Sequence, residues 1–102
     1  MELTSKQRAY LKSLAQKEEP CLIIGKAGCT PEVAEAAREA LLARELIKAN
    51  VLKNCEEEPK EIARLLAERT NATLVQVIGR KFVLFQQAKK DSKITLPKGK
   101  WE

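Results

Sequence analysis

The sequence predicts an α/β fold: one compact domain with elements in the order α-β-α-β-α-β-β, forming a four-stranded mixed sheet with packed helices. Apolar runs alternate with helix-periodic segments along most of the 102 residues, the pattern of strand–helix–strand units with parallel pairing. The last two apolar runs, 73–78 and 81–86, are separated only by Gly79-Arg80, which is hairpin spacing and adds an antiparallel pair. The length suits one small domain, and 44% hydrophobic with 32% charged residues is the balance of a soluble globular protein.

Each element has its own signal. Thr4 and Gln7 have capping-box spacing at the start of a first helix. Ala9, Tyr10, Leu11, Leu14 and Ala15 form its expected apolar face, with Lys6, Arg8, Lys12 and Lys17 outside. Pro20 disfavours helix at Glu19 and ends it. Cys21-Leu22-Ile23-Ile24 reads as a buried strand, with Cys21 as a small buried hydrophobe.

A second helix, 31–44, is expected to bury Val33, Ala36, Ala37, Ala40 and Leu41. Glu45–Leu52 alternates as a second strand, with Leu46, Lys48, Asn50 and Leu52 on one side and Ile47, Ala49 and Val51 on the other. The third helix covers 59–70, with Pro59 near its start and Asn71 as its C-cap. Two strand–helix–strand units predict two parallel pairings. After Gln86 the chain turns polar and basic, with a short apolar patch at Ile94-Thr95-Leu96-Pro97. Residues 1–97 are read as the domain and 98–102 as a flexible basic tail.

The chemistry centres on Gly25-Lys26-Ala27-Gly28-Cys29-Thr30-Pro31-Glu32, between the first strand and the second helix. Thr30 is a good N-cap, Pro31 fits the first helical position and Glu32 complements the helix dipole. Glycines let the backbone turn and lie close to a ligand. The loop thus offers free N–H groups, a helix N-terminus and the Lys26 ammonium in one place, which favours an anion such as phosphate. On these residues alone, a plain strand-to-helix turn with nothing bound fits equally well. The spacing is neither a P-loop nor a dinucleotide fingerprint.

Composition removes several function classes. The chain has no histidine, which excludes serine–histidine and cysteine–histidine catalysis and Cys/His zinc sites. Three cysteines, Cys21, Cys29 and Cys55, without a C-x-x-C pair argue for a reducing compartment. Glu56-Glu57-Glu58 reads as surface acid at a helix start, not a cation site. No window nears the roughly 18 apolar residues of a membrane span. The N-terminus lacks a signal-peptide layout, so residence in the cytoplasm is expected. The net charge of +5 divides as +3 over 1–17, −3 over 18–78 and +5 over 79–102. Basic ends around an acidic middle point to a nucleic-acid or anionic partner; a solvated surface with a basic tail is the bland alternative.

Gly25-Lys26-Ala27-Gly28 with Thr30 after an apolar strand, Glu45-Leu46-Ile47-Lys48, Val75-Gln76-Val77-Ile78-Gly79 and Val83-Leu84-Phe85 together resemble the YhbY family. These are stand-alone bacterial forms of the CRM domain, named for chloroplast RNA splicing and ribosome maturation. The likeness runs from about Leu3 to Pro97. It implies an RNA-binding α/β domain, similar to the C-terminal domain of translation initiation factor 3, that associates with large-subunit ribosomal precursors. It also implies an RNA contact at Gly25, Lys26, Ala27 and Gly28. The family's last strand usually ends Leu-Tyr-Arg, whereas this chain has Leu84-Phe85-Gln86. No RNA contact is therefore expected at position 86; Lys89 and Lys90 are the candidates to replace it.

The resulting expectation is a non-enzymatic, monomeric RNA-binding protein with no cofactor, metal, membrane or small-molecule partner. Its contacts are Gly25, Lys26, Ala27, Gly28 and Thr30, extended by Arg8, Lys12, Arg80, Lys81, Lys89 and Lys90. With few aromatic residues, recognition should be of backbone and shape more than of base sequence. The competing reading is a protein-interaction module docking on a ribosomal or assembly protein through an exposed sheet face or edge.

Overall fold

The computed structural model describes residues 3–87. Lys89, Lys90, the Ile94–Pro97 patch and the tail at 98–102 lie outside the described residues. The elements are α1 (Ser5–Ala15), β1 (Leu22–Ile24), α2 (Pro31–Arg44), β2 (Leu46–Val51), α3 (Pro59–Thr70), β3 (Thr73–Ile78) and β4 (Lys81–Phe85), in the expected order.

Local chemistry explains the helix boundaries. At α1 the capping box is complete: the Gln7 N–H donates to Thr4 Oγ1 and the Thr4 N–H to Gln7 Oε1, both at 3.1 Å. The Val33 N–H donates to the Thr30 hydroxyl at the start of α2. Asn71 closes α3 in the left-handed region at φ 59°, which asparagine tolerates better than most residues. Glu45, read from sequence as the first residue of the second strand, instead ends α2 at φ 65° and is buried. Its N–H donates to the Leu41 carbonyl, so the strand begins one residue later.

The sheet order is β1-β2-β4-β3. β1 pairs parallel to β2, and β4 runs antiparallel to both β2 and β3. The second expected parallel pairing, β2 with β3, is therefore replaced: β4 lies between them. Burial gives the reason. Phe82, Val83, Leu84 and Phe85 are all buried, so β4 is apolar on both faces and belongs in the middle. β3 is mostly half-buried and carries a bulge between Leu74 and Gln76, as an edge strand can.

Helices cover the two faces unequally. On one face α2 and α3 pack on Ile24, Ile47, Phe82 and Leu84 through Leu41, Ile62 and Leu66. On the other, α1 is the only helix among the described residues, and it packs Leu11 and Ala15 on Leu46, Val75, Val83 and Phe85. Several expected core residues lie outside. Cys21 is exposed and Ile23 is 52% exposed, because β1 is a three-residue edge strand whose α1-side face no described helix covers. Tyr10 and Ala36 are exposed and Ala34 is buried in place of Ala36: each helix turns its buried stripe slightly away from the pattern read in isolation.

Candidate nucleic-acid interface

The glycine loop is a reverse turn. The Gly28 N–H donates to the Gly25 carbonyl at 3.0 Å, and the Thr30 N–H to the Gly28 carbonyl at 3.0 Å. Gly28 has φ 72°, which suits glycine at the last position of such a turn. Lys26 and Ala27 occupy the two central positions and are exposed. Their backbone N–H groups donate to no other described residue. The turn leads straight to Thr30 and α2, so an unengaged pair of N–H groups, an ammonium and a capped helix start adjoin.

The two glycines are not equivalent. A Cβ at Gly28 would clash with the Glu57 carboxylate. A Cβ at Gly25 would meet only Leu52 Cδ1 at 3.9 Å, an ordinary contact, and Gly25 does not have a positive φ. The sharp backbone turn expected at both glycines is needed only at Gly28. Beyond it, the Arg69 guanidinium donates to the Cys29 carbonyl at 3.1 Å. Burial is the main reason the Cys29 thiol lies above its ordinary range; Arg69 opposes this and Glu57 adds to it.

The other predicted contacts separate into two kinds. Arg8 is half-buried, and its guanidinium donates to the carbonyls of Leu74 and Val75 at the β3 bulge. The Arg80 side chain donates to the carbonyls of Val51 and Leu52, while the Leu52 N–H donates to Ile24. Arg80 thus ties the hairpin tip to the end of β2 and, through Leu52, to the start of the glycine loop. Both arginines act on the protein's own backbone. Lys12 and Lys81, in contrast, line one cleft between α1 and the sheet, together with Lys48, Gln16 and Gln76. Those last three were not among the sequence candidates. The alternation of β2 already set Lys48 beside Leu46 on one face; what the sequence lacked was which part of that face stays open. Gln86 donates to the Thr70 and Asn71 carbonyls and so caps α3, which accounts for an amide at that position.

The chain is thus a small α/β domain with an exposed Lys26–Ala27 turn before a capped helix and lysines on the α1 side of its sheet. The chain belongs to the CRS1 / YhbY (CRM) domain family, whose model matches residues 3–86. It is 41% identical to the Bacillus subtilis protein named "Probable RNA-binding protein YqeI", over 93% of this chain and 99% of that one. It is 34% identical to a Haemophilus influenzae protein named "RNA-binding protein", over 94% and 96% of the two chains. The solution structure of a Staphylococcus aureus protein proposed to bind RNA superposes with a TM-score of 0.79 at 42% identity, covering 94% of this chain and all of that one.

Proposed function

We propose that this protein binds RNA without catalysing a reaction on it, gripping the backbone at the Gly25–Gly28 turn. In the fuller form of the proposal it is a cytoplasmic monomer that associates with structured ribosomal RNA in precursor large subunits and assists their assembly. The observation that carries the contact is the exposed Lys26–Ala27 turn, with two unengaged N–H groups and an ammonium beside the start of α2. Such a group of donors suits a phosphate and is indifferent to base identity. The names of the two bacterial relatives, and the basic ends of the chain, support RNA as the ligand. Among the described residues no helix is long and apolar enough to cross a membrane.

The internal bonds of Arg8 and Arg80 narrow the contact set. Phosphate contacts are assigned to Lys26, Lys12 and Lys81, with Arg80 holding the loop's support in place. The test is fluorescence anisotropy with structured ribosomal RNA across a salt series. If about four phosphates are neutralised, the log–log slope is near −3 to −3.6, and binding weakens roughly 50- to 150-fold between about 50 and 200 mM salt. Lys26→Glu is expected to flatten the slope by at least about one. A steep slope that ignores Lys26→Glu moves the contact away from the turn, and flat, weak binding refutes the RNA reading.

A further inference from the structure

We propose that the cleft between α1 and the open part of the sheet takes one unpaired RNA nucleotide, its base on Ile78 and its phosphates on Lys12 and Lys81. This rests on the RNA reading above and adds a contact on the face of the sheet away from α2 and α3.

The sheet register builds the surface. Ile23 pairs with Asn50, Asn50 with Lys81 and Lys81 with Ile78, so one row crosses all four strands. The next row holds Lys48, Val83 and Gln76. α1 packs on Leu46, Val75, Val83 and Phe85 and leaves the outer row uncovered, with Ile23 52% and Ile78 65% exposed. Where the edge of α1 meets these rows lies a cleft of about 200 Å³.

Its lining has three kinds of group, and a nucleotide uses all three. The exposed Ile78 gives an apolar floor for a ring, with the buried Val83 beside it in the lining. The Gln16 and Gln76 amides each offer a donor and an acceptor to a base edge. Lys12 and Lys81 supply ammonium groups, and none of these four polar side chains bonds to another described residue. The third ammonium, Lys48, is held at the end of α1 by the carbonyls of Ala15 and Glu18. No carboxylate lines the cleft, so its potential is positive and suits a polyanion. The volume is below the roughly 300–1,000 Å³ of sites that enclose whole small molecules, which fits one base presented by a strand. Bases splayed out of single-stranded RNA are the ones proteins can reach in this way. Residues 88–102 carry a net charge of +3, so charge complementarity favours RNA over that segment as occupant.

The test uses the full chain with labelled isoleucine and valine methyl groups, titrated with a short oligouridine and with a blunt RNA duplex. Oligouridine is expected to shift the Ile78 methyl signals, and those of Val83 beside it, while the Ile23 methyls on the opposite sheet edge stay in place; the duplex is expected to leave all of them in place. The double variant Lys12→Ala, Lys81→Ala should flatten the oligouridine salt slope by about 1.4, so the wild type's advantage shrinks roughly sevenfold between about 50 and 200 mM salt. Ile78 and Val83 methyl signals that stay still while the Gly25 and Gly28 amides move would overturn the cleft and leave the RNA reading intact. No response at either place would overturn both. A response to an acidic amphipathic peptide but not to oligouridine would make this face a protein-docking surface and overturn the proposal.

Discussion

At the scale of single residues, two glycines that look alike in sequence do different things. Gly28 sits at φ 72° with the Glu57 carboxylate in the place a Cβ would take. Gly28→Ala should cost about 1–2 kcal/mol for the left-handed backbone, read as a lower urea midpoint. Gly25→Ala should lie within about 0.5 kcal/mol of wild type, because its Cβ meets only Leu52. Any loss of RNA binding by Gly25→Ala then reports on close approach of the ligand, not on folding. Arg8 makes the converse point. A basic residue on an N-terminal helix reads as a surface cation, yet its guanidinium holds the carbonyls that flank the β3 bulge. Arg8→Ala should destabilise the fold by about 1.5–3 kcal/mol and leave the RNA salt slope unchanged. Nothing in the sequence separates Arg8 from Lys12, four residues later on the same helix. The distinction depends on which strand each one faces.

At the scale of elements, the caps were legible and the pairing was not. Thr4 with Gln7, Thr30 with Pro31, and Asn71 act within a few residues of themselves, so their residue types determine the outcome. Thr30→Ala should cost about 1 kcal/mol, seen as a drop in melting temperature. Because α2 begins where the glycine turn ends, it should also weaken RNA binding more than the equivalent Thr4→Ala change in α1. Strand neighbours are a different matter. Two strand–helix–strand units give β2 and β3 the same direction, but they do not say whether a later strand enters between them. The position of β4 follows from burying all of Phe82, Val83, Leu84 and Phe85, a preference expressed only when the strands compete for the centre. Cys21 and Ile23 show the same limit. An unbroken apolar run suits a strand buried on both faces, and only the edge position of β1 leaves these two exposed.

At the scale of the whole molecule, the sheet has one face fully covered by α2 and α3 and one partly covered by α1. The cysteines sample this gradient: Cys21 is exposed on the edge strand, Cys29 is half-buried beside the glycine turn and Cys55 is buried in the core. Alkylation followed by mass spectrometry should therefore modify Cys21 first, Cys29 more slowly and Cys55 only on unfolding. Burial favours the protonated Cys29 thiol, so whatever stability it contributes is present below the unfolded thiol's pKa and fades as pH rises through the higher folded value. The open half of the sheet also brings Lys12, Lys48 and Lys81 into one cleft, although 69 positions separate the first from the last. By itself the sequence determined the number, type and order of the elements, their caps and the glycine turn, because periodicity and capping act over a few residues. Only the tertiary structure decided the strand order, which basic residues support the backbone and which face outward, and where the sheet stays uncovered. Those outcomes depend on competition for burial between segments far apart in the chain.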